Sequence, residues 1–107
     1  MIRFNVAIKA RSRFGSLKPC EITMHYVYVL KSNKDGNFYV GCTGNLRKRL
    51  SDHSDGNVRS TRYRIPFELV YYEASRNNND ALHREKYLKT TYGKRYLRNR
   101  LKGDIPR

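Results

Sequence analysis

The sequence predicts an α+β fold in which helices pack on a small sheet, with the elements in the order β-β-α-β-α-α. Three observations predict it. Two β-branched and aromatic segments flank a short turn, a third follows a basic loop, and helix-capping residues precede the other segments. The length of 107 residues suits one domain. The 38% hydrophobic content, with 9 tyrosines and 4 phenylalanines, is enough for a core and argues against a disordered chain.

The first two strands are predicted to form an antiparallel hairpin. Residues 26–30 read Tyr-Val-Tyr-Val-Leu, and residues 38–42 read Phe-Tyr-Val-Gly-Cys. The turn between them contains Asp-Gly at positions 35 and 36, a pair that tolerates positive φ. Such a hairpin brings Tyr28 and Tyr39 to one face of the sheet if the register allows it.

A helix, a loop and the third strand follow the hairpin. Thr43 or Asn45 can cap a helix over residues 46–54. Residues 55–66 form a polar, basic loop that ends at a proline. Residues 67–73 read Phe-Glu-Leu-Val-Tyr-Tyr-Glu, which predicts the third strand.

Two further helices complete the predicted domain. Residues 77–80, Asn-Asn-Asn-Asp, are a break and a cap before a helix over about 80–90. The apolar positions of that helix are Ala81, Leu82 and Leu88. Residues 90–93 predict a break before a short basic helix. In that last helix, Tyr96, Leu97 and Leu101 are predicted to point inward. Arg95, Arg98 and Lys102 are predicted to point outward.

The two ends of the chain are expected to lie outside the domain, which spans residues 24–102. Residues 1–23 predict a loosely ordered basic tail, with an organellar transit peptide or a translation start at Met24 as alternatives. Residues 103–107 predict a C-terminal tail.

Two cysteines are too few for a disulfide framework or a zinc set, and no apolar run is long enough to span a bilayer. We therefore expect a cytoplasmic protein without membrane association.

The charge of the chain predicts a polyanionic partner. Lys and Arg number 23 against 9 Asp and Glu, which gives a net charge of +14. Basic residues of the loop and of the C-terminal helix can follow a phosphate backbone, with affinity that falls steeply with salt. They are Arg59, Arg62, Arg64, Lys94, Arg95, Arg98, Arg100 and Lys102. Alternatively, some of them only keep the protein soluble.

Two helical positions could carry chemistry. Arg49 and His53 are four residues apart and share one helix face, where a guanidinium can clamp a phosphate. The alternative is a solvated basic face. Glu85 falls in the apolar stripe of its helix, where a carboxylate is costly unless it is paired or binds a metal. Here the alternative is an ion pair with an arginine.

Other catalytic schemes fit the sequence less well. A two-metal nuclease needs several clustered carboxylates, whereas the 9 acids here lie mostly in turns. Nothing orients Cys42 toward His25 or His53 as a nucleophile pair, and there is no Walker loop. One carboxylate, one placed arginine, two tyrosines and a basic surface suit hydrolysis of a phosphodiester with one divalent cation.

The order of these motifs resembles the GIY-YIG endonuclease superfamily. Tyr26-Val27-Tyr28 is followed, eleven residues after Tyr28, by Tyr39-Val40-Gly41. Then come Arg49 in Leu-Arg-Lys-Arg-Leu and Glu85 in Ala-Leu-His-Arg-Glu-Lys-Tyr-Leu-Lys. Over residues 24–102 the chain is similar to small stand-alone members of the superfamily that are described as excinuclease-like. The resemblance implies a three-stranded antiparallel sheet flanked by helices and metal-dependent cleavage of DNA.

The resemblance also matches single residues to the family site. Tyr28 and Tyr39 match the two motif tyrosines, and Arg49 matches the phosphate-binding arginine. As a mechanistic hypothesis, Tyr28 is the general base, with its pKa lowered by the positive surroundings, and Tyr39 positions water or phosphate. Glu85 holds one Mg²⁺ or Mn²⁺, and the remaining matches are a site histidine and a motif glycine, His53 and Gly41. Two positions depart from the family pattern, since Tyr26 replaces the first glycine and Cys42 stands where some relatives have a lysine.

These implications lead to one expectation and one alternative. We expect an endonuclease of DNA repair or recombination that needs no small-molecule cofactor. The alternative is a nucleic-acid-binding module without turnover, with RNA as a possible ligand. The sequence specifies neither protein partners nor the preferred DNA structure.

Overall fold

A computed structural model describes residues 23–105 of the chain. The predicted N-terminal tail lies outside the described residues except for Thr23, and residues 106–107 also lie outside them. In the described part of the chain, no helix is both long and apolar enough to cross a membrane.

The described residues form the predicted α+β fold. A three-stranded antiparallel sheet has the strand order β2-β1-β3, so that β2 and β3 are its edges. Three α-helices and two 3-10 turns accompany it, over Arg62–Arg64 and Lys102–Asp104. The strands and helices are β1 (His25–Ser32), β2 (Phe38–Thr43), α1 (Leu46–Ser54), β3 (Phe67–Ser75), α2 (Asn78–Leu88) and α3 (Thr91–Arg100).

The strand register sorts the side chains onto two faces. Tyr28 lies opposite Gly41 and Leu30 opposite Tyr39, so both tyrosines of the hairpin share one face, called the site face. This confirms the prediction that the hairpin brings them together. The other face packs on α2 and α3 and holds the core, whose buried members are Val27, Val29, Val40, Ala81, Leu88, Leu97 and Leu101. Helix α1 lies on the site face, where its His53 contacts Tyr28.

Turn and capping residues set the ends of several elements. Helix α1 covers its predicted residues, whereas α2 spans Asn78–Leu88 and not about 80–90. Gly36 has φ +74° in the hairpin turn, the left-handed conformation expected from Asp-Gly. Asn45 caps α1 by accepting a hydrogen bond from the Lys48 amide at 3.1 Å. Asn77 and Thr90 cap the next two helices in the same way.

Three details differ from the predictions. Leu82 is 41% exposed, because it lies about 100° away from Ala81 on the helix and outside the buried stripe. Gly93 lies inside α3 and not in a break, since Thr90 caps that helix and starts it at once. The 3-10 turn Lys102–Asp104 extends into the predicted C-terminal tail.

Candidate active site

Tyr28 reaches across the sheet toward its open edge. Its ring lies over Gly41 of the edge strand β2, and a Cβ at that position would overlap the tyrosine hydroxyl and ring. Only a glycine leaves room for this crossing. The side chain is 1% exposed. The hydroxyl therefore lies against Gly41 of β2 and does not project into open solvent.

His53 on α1 is the hydrogen-bond partner of this hydroxyl. Its Nε2 lies 2.7 Å from the Tyr28 oxygen, and its Nδ1 lies 2.9 Å from Oγ1 of Thr61. Thr61 donates its own proton to the Val58 carbonyl at 3.4 Å, so that Oγ1 accepts from Nδ1–H. With hydrogen on Nδ1, Nε2 accepts a hydrogen bond from the Tyr28 hydroxyl. In this tautomer the imidazole is the hydrogen-bond acceptor for Tyr28.

Burial governs the proton affinities of this pair. Burial raises the pKa of Tyr28, and the Arg49 guanidinium beside the hydroxyl only partly offsets this. Burial also lowers the pKa of His53, and Arg49 lowers it further. The expectation that the positive surroundings lower the tyrosine pKa is therefore wrong in direction. The lowered pKa of His53 keeps its imidazole neutral beside the Tyr28 hydroxyl.

Arg49 and Tyr39 complete the cluster on the site face. Arg49 lies one turn before His53 on α1, as the helical spacing predicts. The Tyr39 ring centroid lies 6.4 Å from that of Tyr28 and 5.3 Å from that of His53. Tyr39 is half-buried and Arg49 is half-buried as well, so both retain access to a substrate.

Glu85 approaches the cluster from the other face of the sheet. It lies between Ala81 and Leu88 on the stripe of α2 that packs on the core face. Its carboxylate contributes to the raised pKa of Tyr28, where burial is the largest cause.

The carboxylate of Glu85 is paired with a lysine and not with an arginine. Lys89 Nζ donates to it at 3.1 Å, and the Glu85 side chain is 20% exposed. The nearby arginine of α2, Arg84, instead binds Glu73 of β3 at 2.9 Å. Because Lys89 is exposed and flexible, a cation can take its place at Glu85.

The donor set suits a metal that needs few protein ligands. Within residues 23–105, no three His, Cys, Asp or Glu side chains stand close enough to form a metal cage. Mg²⁺ typically keeps several waters and binds one or two carboxylates together with substrate phosphates. A single half-buried carboxylate beside the Arg49 cluster fits that pattern.

The basic residues predicted to bind nucleic acid divide into two groups. Arg64 is committed to structure, because its Nε donates to Asp35 at 2.6 Å and joins the loop to the hairpin turn. The others are exposed on the loop and around α3, namely Arg59, Arg62, Lys94, Arg95, Arg98, Arg100 and Lys102.

Cys42 is half-buried; burial, with the Glu85 carboxylate, raises the pKa of its thiol, and no contact assigns it a role.

Sequence reasoning missed Thr61 and Lys89. Thr61 is fully buried and orders the histidine, yet it stands in a polar loop where no pattern distinguishes it. Lys89 lies four residues after Glu85, and this i, i+4 spacing is a signal that identifies the partner of the carboxylate.

Three proteins that share one family description are similar to this chain. The UPF0213 protein CPE1444 of Clostridium perfringens is 46% identical over 67 residues, covering 62% of this chain and 71% of its own. The UPF0213 protein YazA of Bacillus subtilis is 37% identical over 70 residues, covering 64% and 70%. The solution NMR structure of the UPF0213 protein BH0048 from Bacillus halodurans has a TM-score of 0.45 at 34% identity, covering 69% of this chain and 81% of that one.

The family match covers most of the chain. The GIY-YIG catalytic domain matches residues 24–100, which include every strand and α-helix described above. Domains of this kind typically bind a divalent cation and act on nucleic acid, and their fold is nuclease-like. With its motif tyrosines, arginine and glutamate around one edge of the sheet, this chain belongs to the GIY-YIG family.

Proposed function

We propose that this chain is a metal-dependent endonuclease that hydrolyses DNA phosphodiester bonds. One observation carries the proposal: Tyr28, Tyr39, Arg49 and His53 cluster at the β2 edge, and Glu85 approaches from the other face. A binding module needs cationic surface but has no use for a buried tyrosine–histidine pair. The proposed role is in DNA repair or recombination, in the cytoplasm, where the free thiol of Cys42 stays reduced.

The proposed mechanism uses the proton path that the contacts define. A water attacks phosphorus and gives its proton to the Tyr28 oxygen, while the tyrosine proton passes to Nε2 of His53. Tyr39 positions the water or the phosphate. Arg49 stabilises the charge that builds on the phosphoryl oxygens. The bond from phosphorus to the leaving oxygen then breaks without a covalent enzyme intermediate.

Glu85 would hold the cation of this site. One Mg²⁺ or Mn²⁺ bound there supplies charge stabilisation for the leaving oxygen and the phosphate. Lys89, which donates to the Glu85 carboxylate, would have to give up this bond for a cation to bind there. With one carboxylate as its protein ligand, the cation would be held weakly in the absence of DNA.

Plasmid nicking tests the proposal. We expect the protein to nick supercoiled DNA in Mg²⁺ or Mn²⁺, and EDTA to stop it. Glu85→Gln and Arg49→Ala should each lower the rate by at least about a hundredfold. The Glu85→Gln protein should still bind DNA. An exposed glutamate of β3, Glu68, offers the control Glu68→Gln, which should cut at the normal rate.

The same assay tests the alternative of a binding module without turnover. That alternative predicts tight, salt-dependent binding of DNA or RNA and no metal-dependent nicking by any purified preparation. Normal cleavage by the Glu85→Gln protein would contradict the assigned site even if the chain proved to be a nuclease.

A further inference from the structure

A groove of about 580 Å³ runs along the outer edge of β2, next to the candidate active site. Its apolar floor comes from the strand and from the two C-terminal helices, namely Phe38, Val40, Leu88 and Leu97. Lys94 and Arg98, one turn apart on α3, stand on its wall. Its volume falls in the range of small-molecule sites, about 300–1,000 Å³, so a duplex does not enter it.

Two residues of the groove also contact residues of the candidate active site. Tyr39, which contacts the rings of Tyr28 and His53, also lines the groove. Lys89 lines it too and is bonded to Glu85 at 3.1 Å. Along β2, the step from Gly41 to Phe38 covers about 10 Å, at roughly 3.3 Å per residue. A strand that leaves the site along this edge therefore passes directly over the groove.

We propose that this groove takes unpaired nucleotides of the DNA strand being cut, just beside the scissile phosphate. The proposal rests on the proposed nuclease function and names the substrate class of that site, which is DNA with a single-stranded segment. Bases that are not paired expose flat apolar faces, which suit a floor that contains Phe38. Lys94 and Arg98 line the groove and can bind the phosphates of such a segment.

The acidic groups of the groove agree with this ligand. Asp35 is already bound to Arg64 and presents no free carboxylate to a phosphate. Asp104 is half-buried on the wall, and a carboxylate there can accept a hydrogen bond from the amino group of a base. A continuous phosphate track would not need an apolar floor or a carboxylate wall.

Charge substitutions distinguish binding in the groove from the general electrostatic attraction between a basic protein and DNA. Binding is measured by fluorescence anisotropy in EDTA, with a 12-nucleotide single strand and a blunt duplex hairpin as probes. We expect the double variant Lys94→Gln/Arg98→Gln to lose at least about tenfold in affinity for the single strand. The matched control, Lys86→Gln/Arg76→Gln, removes one Lys and one Arg at exposed positions outside the groove and should lose less than about threefold.

A steric substitution tests the groove without changing charge. Ile105 lines the groove, whereas a Cβ at Gly103 would have no neighbour within 4 Å. Ile105→Trp should weaken single-strand binding and leave hairpin binding unchanged, and Gly103→Trp should change neither. Thermal unfolding confirms that each variant is folded.

The outcomes distinguish this proposal from the proposed function. If groove variants lose single-strand binding as described and the protein nicks no DNA, the groove stands and the nuclease assignment fails. If the protein nicks DNA but Lys94→Gln/Arg98→Gln behaves like its control, or Ile105→Trp binds the single strand normally, the groove proposal is overturned.

Discussion

At the scale of single residues, the position of one proton decides how the candidate site works. Burial makes the Tyr28 phenol a poor acid, so a cationic neighbour such as Arg49 is not sufficient to activate it. In the proposed mechanism, the tyrosine proton passes to Nε2 of His53 while Tyr28 takes the proton of the attacking water. Thr61 then matters as a positioning residue, since it sets which ring nitrogen carries hydrogen.

Replacing Thr61 by valine should disturb that tautomer. Valine keeps the shape but removes the acceptor for Nδ1–H, so Nε2 no longer faces Tyr28 as a fixed acceptor. We expect the cleavage rate to fall at least about tenfold with little change in DNA affinity. Nitrogen-15 NMR of His53 should report a mixed tautomer. Thr61→Ser should restore both, and an unchanged NMR signature in Thr61→Val would contradict the assigned role.

Gly41→Ala should damage both stability and activity. The added methyl group would overlap the Tyr28 hydroxyl, which must then move away from His53. Overpacking of this kind typically costs about 1–3 kcal/mol in unfolding free energy. The control is Gly44→Ala, where the nearest side-chain atom to a new Cβ is 3.9 Å away. Equal unfolding midpoints in urea for both variants would argue against a tight crossing.

The titration of His53 should make stability depend on pH. Burial and Arg49 lower its pKa in the folded protein, and Asp52 only partly opposes them. The unfolded chain therefore binds this proton first as the pH falls below about 6.5, and the unfolding free energy decreases there. Above that pH the contribution of neutral His53 to the unfolding free energy is fully present. We expect His53→Gln to remove this part of the slope between pH 7.5 and 5.5, whereas His83→Gln, at an exposed position, should retain it.

At the scale of secondary structure, caps and turn residues place the elements, and close packing sets their angles. Asn45, Asn77 and Thr90 each start a helix by accepting a backbone amide proton. The junction of α2 and α3 is tight enough that Gly93 lies directly against the backbone of Tyr87 and Leu88. Gly93 therefore allows the close packing of α3 against α2 and does not interrupt the helix.

Gly93→Ala tests this interpretation, because the expected change in stability is opposite in sign to the change that helix propensity predicts. Helix propensity alone predicts that alanine stabilises α3 by up to about 1 kcal/mol. A Cβ at position 93 would overlap the Tyr87 carbonyl and the Leu88 backbone, which cannot yield like a flexible side chain. We therefore expect destabilisation by more than about 1 kcal/mol in urea unfolding. Gly103→Ala, in open space, should have no such effect.

At the scale of the whole molecule, the net charge of +14 acts through the residues that remain free to meet phosphate. Arg59 is exposed on the loop, whereas Arg64 on the same loop is held by Asp35 and by the Asn37 carbonyl. Two arginines of equal charge therefore differ in availability. Only the fold distinguishes them, because Asp35 is 29 residues away in the chain.

This difference appears in the salt dependence of DNA binding. The slope of log affinity against log salt falls by about 0.9 for each phosphate contact that is lost. Arg59→Gln should reduce the slope by about one, and Arg64→Gln should leave it nearly unchanged while lowering the melting temperature. A reduced slope in Arg64→Gln with an unchanged melting temperature would place Arg64 on the DNA.

Features of this protein that depend on near neighbours in the chain can be predicted from its residues. β-branched and aromatic residues together with turn chemistry predicted the hairpin, and the register that follows places Tyr28 and Tyr39 on one face. Helical spacing predicted that Arg49 and His53 share a face, and capping residues predicted the first two helices. These features follow from backbone geometry within a few residues, which is why the pattern of residues reports them.

Partners that are distant in the chain, and the pKa shifts of buried groups, follow from the folded structure. Arg64 meets Asp35, and Thr61 orders His53, through contacts that no local pattern encodes. The raised pKa of Tyr28 follows from burial, which exists only after α1 closes over the sheet. Burial and long-range contacts depend on how distant segments pack, so they emerge with the fold and not before it.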